Sequence, residues 1–141
     1  MAFFQYMILN TDFAVGNKHN LELVSVPGRF KPVGIPYDFD YSGMVDHDYA
    51  IPYNRLPIES IREYYFRGID VTLEEVKMAV EFYKPLKDTF KKIVDEALYL
   101  DRRSKKSMKK DIDEFYKRLN EEDKWERRFI KPKKMLSSPR Q

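Results

Sequence analysis

The sequence predicts an α+β fold, a small antiparallel strand pair followed by a helical subdomain. Two short segments of alternating apolar character, 20–26 and 31–37, flank a Pro27-Gly28 turn, which is the pattern of a paired, half-buried strand ribbon. From Thr72 onward the apolar residues recur instead every three or four positions, the period of a helix. The intervening stretch, 40–56, has neither period and is rich in Tyr, Asp and Pro.

Taken in order, Phe3 to Asn10 is an apolar run short enough for one buried helix, and Asn10-Thr11-Asp12 ends it. Gly16-Asn17 marks a loop. In the first strand Leu21, Leu23 and Ser25 face one way and Glu22, Val24 and Val26 the other; Pro32 weakens the start of the second. A loop as long as 40–56 inside a folded domain is functional or disordered, and its tyrosines argue for a packed one. Pro57 followed by Ile58, Ile61, Tyr64 and Tyr65 predicts a short amphipathic helix that Gly68 stops. Thr72 and Glu75 have the spacing of a capping box. The helix after it carries Val76, Ala79, Val80 and Tyr83 on one face until Pro85 breaks or kinks it. A further helix over 86–101 shows Leu86, Phe90, Ile93, Ala97 and Leu100. After a basic junction at 102–106, a last helix over 107–120 repeats Met108, Ile112, Phe115, Tyr116 and Leu119. The domain reading is one unit over 1–120, divided into a region 3–68 and a helical subdomain 69–120, with 121–141 as a basic, mobile tail.

Composition narrows the function. Basic and acidic residues number 26 and 23, a balance too mild to require nucleic acid as a partner. The absence of cysteine excludes disulfides, thiolate metal sites and a cysteine nucleophile. No apolar run has the length of a membrane span, so no membrane role is expected. The opening Met1 to Leu9 lacks the basic start and small-residue cleavage site of a signal peptide. The chain as given therefore favours the cytoplasm, with export open if a segment precedes it.

The polar residues fall at the ends of apolar elements, where a fold can aim them at one point. Asp12 follows the first helix, Asn20 opens the first strand, and Asp38-Phe39-Asp40 follows the second. A carboxylate, a carboxamide and further carboxylates at element boundaries are the layout of a metal-phosphate site, because Mg²⁺ takes a few hard oxygens and shares its shell with phosphate.

These motifs, Asn10-Thr11-Asp12, His19-Asn20 and Asp38-Phe39-Asp40, resemble the catalytic half of the CotH-type and HipA-type atypical kinases. The stretch from Phe4 to about Gly68 is also similar to the C-terminal part of a family of uncharacterised bacterial proteins. These share a Phe-Gln-Tyr-Met-Ile…Asn-Thr-Asp run, a Tyr-Asp-Phe-Asp-Tyr-Ser-Gly run and a Ser-x-Arg-Glu…Arg-Gly segment, here Ser60-Ile61-Arg62-Glu63 to Arg67-Gly68. The resemblance implies a kinase C-lobe-like fold with the N-lobe absent. It implies Asp12 as catalytic base, Asn20, Asp38 and Asp40 as ligands of Mg²⁺ or Mn²⁺, and Arg62 as a contact to phosphate. The protein-kinase interval of five residues would select Asn17 as the metal asparagine, whereas the CotH pattern selects Asn20, which opens the strand. With five glycines and no Gly-rich loop, the chain lacks the phosphate-covering lobe. The expectation is therefore the C-terminal part of an ATP-type phosphotransferase, incomplete or inactive alone. ATP would bind only if an upstream N-lobe polypeptide supplies the rest, and the acceptor substrate is not readable.

Several signals have plainer readings. His19 could orient Asp12 or serve as a hydrogen-bonded structural residue. His47, in Asp46-His47-Asp48, reads as part of a solvated acidic loop. Arg67 reads as a surface ion pair. The basic cluster from Arg102 to Lys110 could meet a nucleic-acid backbone or an acidic partner, but Asp111, Asp113 and Glu114 follow it, as on a solvated helix junction. The competing function class is a non-catalytic helical interaction domain; a metal-dependent nuclease ranks last.

Overall fold

A helix of one and a half turns, α1 (Ala2–Met7), starts the chain and buries Phe3, Gln5, Tyr6 and Met7. The computed structural model describes residues 1–131, which divide into two units, 1–65 and 66–131. The class is α+β, with a two-stranded antiparallel sheet and a run of helices, as the sequence predicts. The unit boundary lies near the predicted passage from the region 3–68 to the helical subdomain.

In the first unit, α1 closes in a Schellman motif. The Asn10 amide donates to the Gln5 carbonyl at 2.8 Å and the Leu9 amide to the Tyr6 carbonyl at 3.2 Å. The left-handed residue such a motif needs is Leu9, with φ of 56°, where glycine is usual; its side chain is buried. An isolated bridge pairs Ala14 with His19 and folds 15–18 into a turn. Strands β1 (Leu21–Val24) and β2 (Val33–Pro36) pair with Leu21 opposite Pro36 and Val24 opposite Val33. Pro27-Gly28 makes the expected turn: the Arg29 amide reaches the Val26 carbonyl and Gly28 has φ of 80°, as position i+2 of a type II turn requires. The stretch after β2 is irregular yet packed. Ser42 and Gly43 are buried, and the Gly43 and Met44 amides donate to the Leu9 and Ile8 carbonyls at the open end of α1.

The helix predicted from Pro57 does not form; turns and bends over 57–63 lead into an irregular stretch, 64–67. The Glu63 carboxylate takes the Glu59 and Ser60 amides, and the Ser60 hydroxyl takes the Arg62 amide, so local side chains claim the donors that would start a helix. Leu56, Ile58 and Ile61 are buried without it.

In the second unit α2 (Leu73–Tyr83) begins with the predicted capping box. The Thr72 hydroxyl accepts from the Glu75 amide at 3.2 Å and the Glu75 carboxylate from the Thr72 amide at 2.9 Å. Pro85 converts the chain to a 3₁₀ turn, Lys84–Leu86, and α3 (Lys87–Glu96) follows. α3 ends five residues before the predicted boundary, and its buried position is Val94, with Ile93 exposed. α4 (Arg102–Asn120) starts five residues earlier than predicted, because Asp101 caps it by accepting from the Ser104 amide at 2.6 Å. Its face of Ile112, Phe115, Tyr116 and Leu119 joins Val76, Tyr83 and Val94 in the core. The Tyr116 hydroxyl donates to the Tyr83 carbonyl at 2.7 Å, next to the Pro85 break.

The segment after Asn120, read as the start of a tail, is folded up to Ile130. A 3₁₀ turn, Glu122–Lys124, leads into a π-helical turn, Glu126–Ile130, and Trp125 and Phe129 are buried. Trp125 donates from Nε1 to the Leu119 carbonyl, and the Phe129 ring meets Phe66 edge-on at 5.0 Å. The charges around these two aromatics hid an apolar edge at helical spacing. The rest of the predicted tail, beyond Lys131, lies outside the described residues. Among the described residues no helix is long and apolar enough to cross a membrane.

Candidate active site

The end of α1 aims Asp12. Asn10 is almost fully buried; its Oδ1 accepts from the Asp12 amide at 2.9 Å, an Asx turn, and its Nδ2 donates to Gln5 Oε1 at 2.9 Å. That sequence of bonds fixes both amide orientations and leaves Gln5 Nε2 as a buried donor without a partner among the described residues.

The Ala14–His19 bridge brings the chain back to Asp12. His19 Nε2 lies 3.0 Å from Asp12 Oδ1. Asn20 Nδ2 donates to Asp12 Oδ2 at 2.9 Å and to the Asp12 carbonyl at 3.0 Å. Both bonds use the amide nitrogen, so Oδ1 is the Asn20 atom not committed to Asp12. Of the two asparagines the sequence left open, Asn20 touches Asp12, and Asn17 lies exposed in the turn.

Strand register sets where the remaining acids leave the hairpin. The Tyr37 amide donates to the Asn20 carbonyl, which extends the ladder one pair past Leu21–Pro36. Asp38 therefore follows directly on the residue paired with Asn20. Both Asn20 and Asp38 sit in left-handed backbone, with φ of 50° and 57°, where Asn and Asp are the commonest non-glycine residues. Phe39 anchors the motif by packing edge-on against Phe4 of α1, with ring centroids 5.9 Å apart. The turn after it is clamped to α1: Ser42 Oγ donates to the Ile8 carbonyl at 2.5 Å.

The acids feel one another. A hydrogen bond to Asp40 and the Asp40 charge push the Asp38 carboxyl above its ordinary value, and the Asp12 charge adds to this. Asp40 moves the other way, first because Tyr49 donates its hydroxyl to Oδ2 at 2.7 Å. The same bond pushes the Tyr49 hydroxyl up to about 12. Tyr49 was not singled out in the sequence; its position in a tyrosine-rich loop was the only signal. Its ring stacks on His47 at 3.8 Å, and His47 pairs with Asp48 at 2.7 Å, so His47 belongs to a neighbouring loop cluster.

Arg62 donates from Nη1 to the Gly43 carbonyl, tying the 60–63 turn to the turn after Asp40. Gly43 is required there, since a Cβ would stand 2.2 Å from the Ile61 carbonyl oxygen. Beside Asp12 a cavity of 360 Å³ is walled by Thr11, Tyr41, Pro52, Tyr53 and Ile61.

The oxygens on offer here are of the hard type that Mg²⁺ and Mn²⁺ take. Asp38 and Asp40 offer carboxylates, Asn20 offers an amide oxygen, and the crowded negative charge is of the kind a cation relieves. Among the described residues no group of three or more His, Cys, Asp or Glu side chains is placed to hold a metal ion. Compared with known proteins, the chain matches no family model, no curated protein and no solved structure.

Proposed function

We propose that the first unit is the catalytic-lobe part of a metal-dependent, kinase-like phosphotransferase. The observation that carries the reading is the contact of Asn20 with Asp12, at the end of the hairpin from which Asp38 and Asp40 emerge. In this reading Asp12 is the base that takes the proton of an acceptor hydroxyl. His19, Asn20 and the Asn10 Asx turn hold its carboxylate in a fixed orientation. Asn20, Asp38 and Asp40 hold Mg²⁺ or Mn²⁺, which when bound neutralises phosphate charge. Tyr49 keeps Asp40 ionised and in place. The cavity beside Asp12 gives the acceptor a seat whose largely aromatic and aliphatic walls also carry Thr11 and Asn54.

Arg62 keeps the role of phosphate contact in this reading, with one donor already spent on Gly43. The sequence supplies no Gly-rich phosphate loop, so ATP binding falls to a lobe provided by another polypeptide segment. The test is titration with Mn²⁺ followed by amide NMR. Resonances of residues 10–12, 19–21 and 38–41 broaden first if the reading holds. Broadening confined to 46–48, or spread evenly over all acidic residues, overturns it.

A further inference from the structure

The second unit holds a larger concavity, of 790 Å³, between α3, the 97–101 connection and the first half of α4. Six cationic side chains and two carboxylates line it. The carboxylates are already satisfied. Asp113 is bound by Lys87 and Lys91 at 2.8 Å, and Asp95 by Lys109 at 2.6 Å, with Lys105 on the Asp95 carbonyl. Arg102, Lys106 and Lys110 are exposed and, among the described residues, no hydrogen bond or ion pair engages them. They stand four residues apart, so they form one stripe along α4 with steps of about 6 Å.

Next to this stripe lies an apolar feature of the opposite kind. Leu98 is 90% and Tyr99 99% exposed, in the short connection that precedes the Asp101 cap, and Leu100 lines the concavity. A leucine and a tyrosine held in water beside uncommitted cations mark a contact surface.

We infer that this concavity docks an acidic protein segment carrying apolar anchor residues. Three features select that occupant. Charge complementarity requires an anionic partner. The concave shape suits an inserted chain, whereas a bilayer surface is flat. A single-stranded nucleic acid would use the cations and stack on Tyr99 but gives Leu98 nothing to bury. Only a peptide with both carboxylates and apolar side chains engages the cations, Tyr99 and Leu98 together. The inference rests on the second unit alone and stands whether or not the first binds metal.

The test measures fluorescence anisotropy of the whole chain with a short labelled peptide of alternating Glu and Leu. Oligothymidylate and phosphatidylserine-containing vesicles are run in parallel. The peptide is expected to bind more tightly than either, and raising the salt from about 50 to about 300 mM weakens it. The triple variant Arg102→Glu/Lys106→Glu/Lys110→Glu binds more weakly by roughly tenfold or more. Leu98→Ser/Tyr99→Ser also weakens the peptide while leaving the far-ultraviolet circular dichroism unchanged, as expected for fully exposed side chains. Tighter binding to oligothymidylate or vesicles, or peptide binding that survives either variant, overturns the inference.

Discussion

Asn10 shows how one side chain sets another. It satisfies the Asp12 amide and the Gln5 side-chain Oε1 at once from a buried position. Asn10→Ala leaves both groups without that partner, and we expect a loss of roughly 2–3 kcal/mol in denaturant unfolding. Asp38 makes the opposite prediction. Its carboxyl sits above the ordinary 3.8, so the folded chain holds that proton more tightly than the unfolded chain. Ionising Asp38 therefore costs stability as pH rises from 3.8 through the raised value, and the cost is complete once the pH lies above that value. In metal-free buffer Asp38→Asn raises the melting temperature near neutral pH and leaves it unchanged well below pH 3.8. Asparagine tolerates the left-handed backbone there, so the substitution isolates the charge. At this scale the site was legible in part. Asp12, Asn20 and Asp38 announced themselves because each ends or opens an apolar element. Tyr49 did not, since a tyrosine in an aperiodic loop gives no sign of which acid it will meet.

Elements carry two further predictions. Gly43 lies where the post-Asp40 turn passes the Ile61 carbonyl, and its amide donates to Leu9. Gly43→Ala forces backbone apart and should cost about 3 kcal/mol, with the melting transition as readout. Glu121 anchors the folded segment after α4 through Lys124 and Arg128, which hold its carboxyl at about 2 against an ordinary 4.5. Its contribution is present above pH 4.5 and disappears as pH falls through about 2. Glu121→Gln should therefore flatten the loss of stability across that window. The elements also show what a linear reading captures. The strand pair, the Pro27-Gly28 turn and the Thr72–Glu75 box depend on neighbours in sequence, and all three formed as predicted. The helix expected from Pro57 failed because Glu63 and Ser60 captured its amides. The boundaries of α3 and α4 shifted because Asp101, inside the predicted helix, is a cap. Trp125 and Phe129 were hidden among charges that packing outweighed.

Across the whole molecule the chemistry separates by unit. The first ties Asn20 to Asp12 and couples Asp38 to Asp40, and the second carries uncommitted cations along α4. The fold class was readable because it depends on two periods, two residues and three to four. The placement of Asp38 after the residue paired with Asn20 was not, because it depends on strand register, and the turn after Asp40 depends on the clamp between Ser42 and α1. The most direct test is calorimetric titration of Mn²⁺ into the wild-type chain, Asp38→Asn and Asp12→Asn. The account predicts saturable heat for the wild type, none for Asp38→Asn, and retained binding for Asp12→Asn, whose carboxylate is assigned to the acceptor and not to the ion. Heat from Asp38→Asn equal to that of the wild type would contradict it.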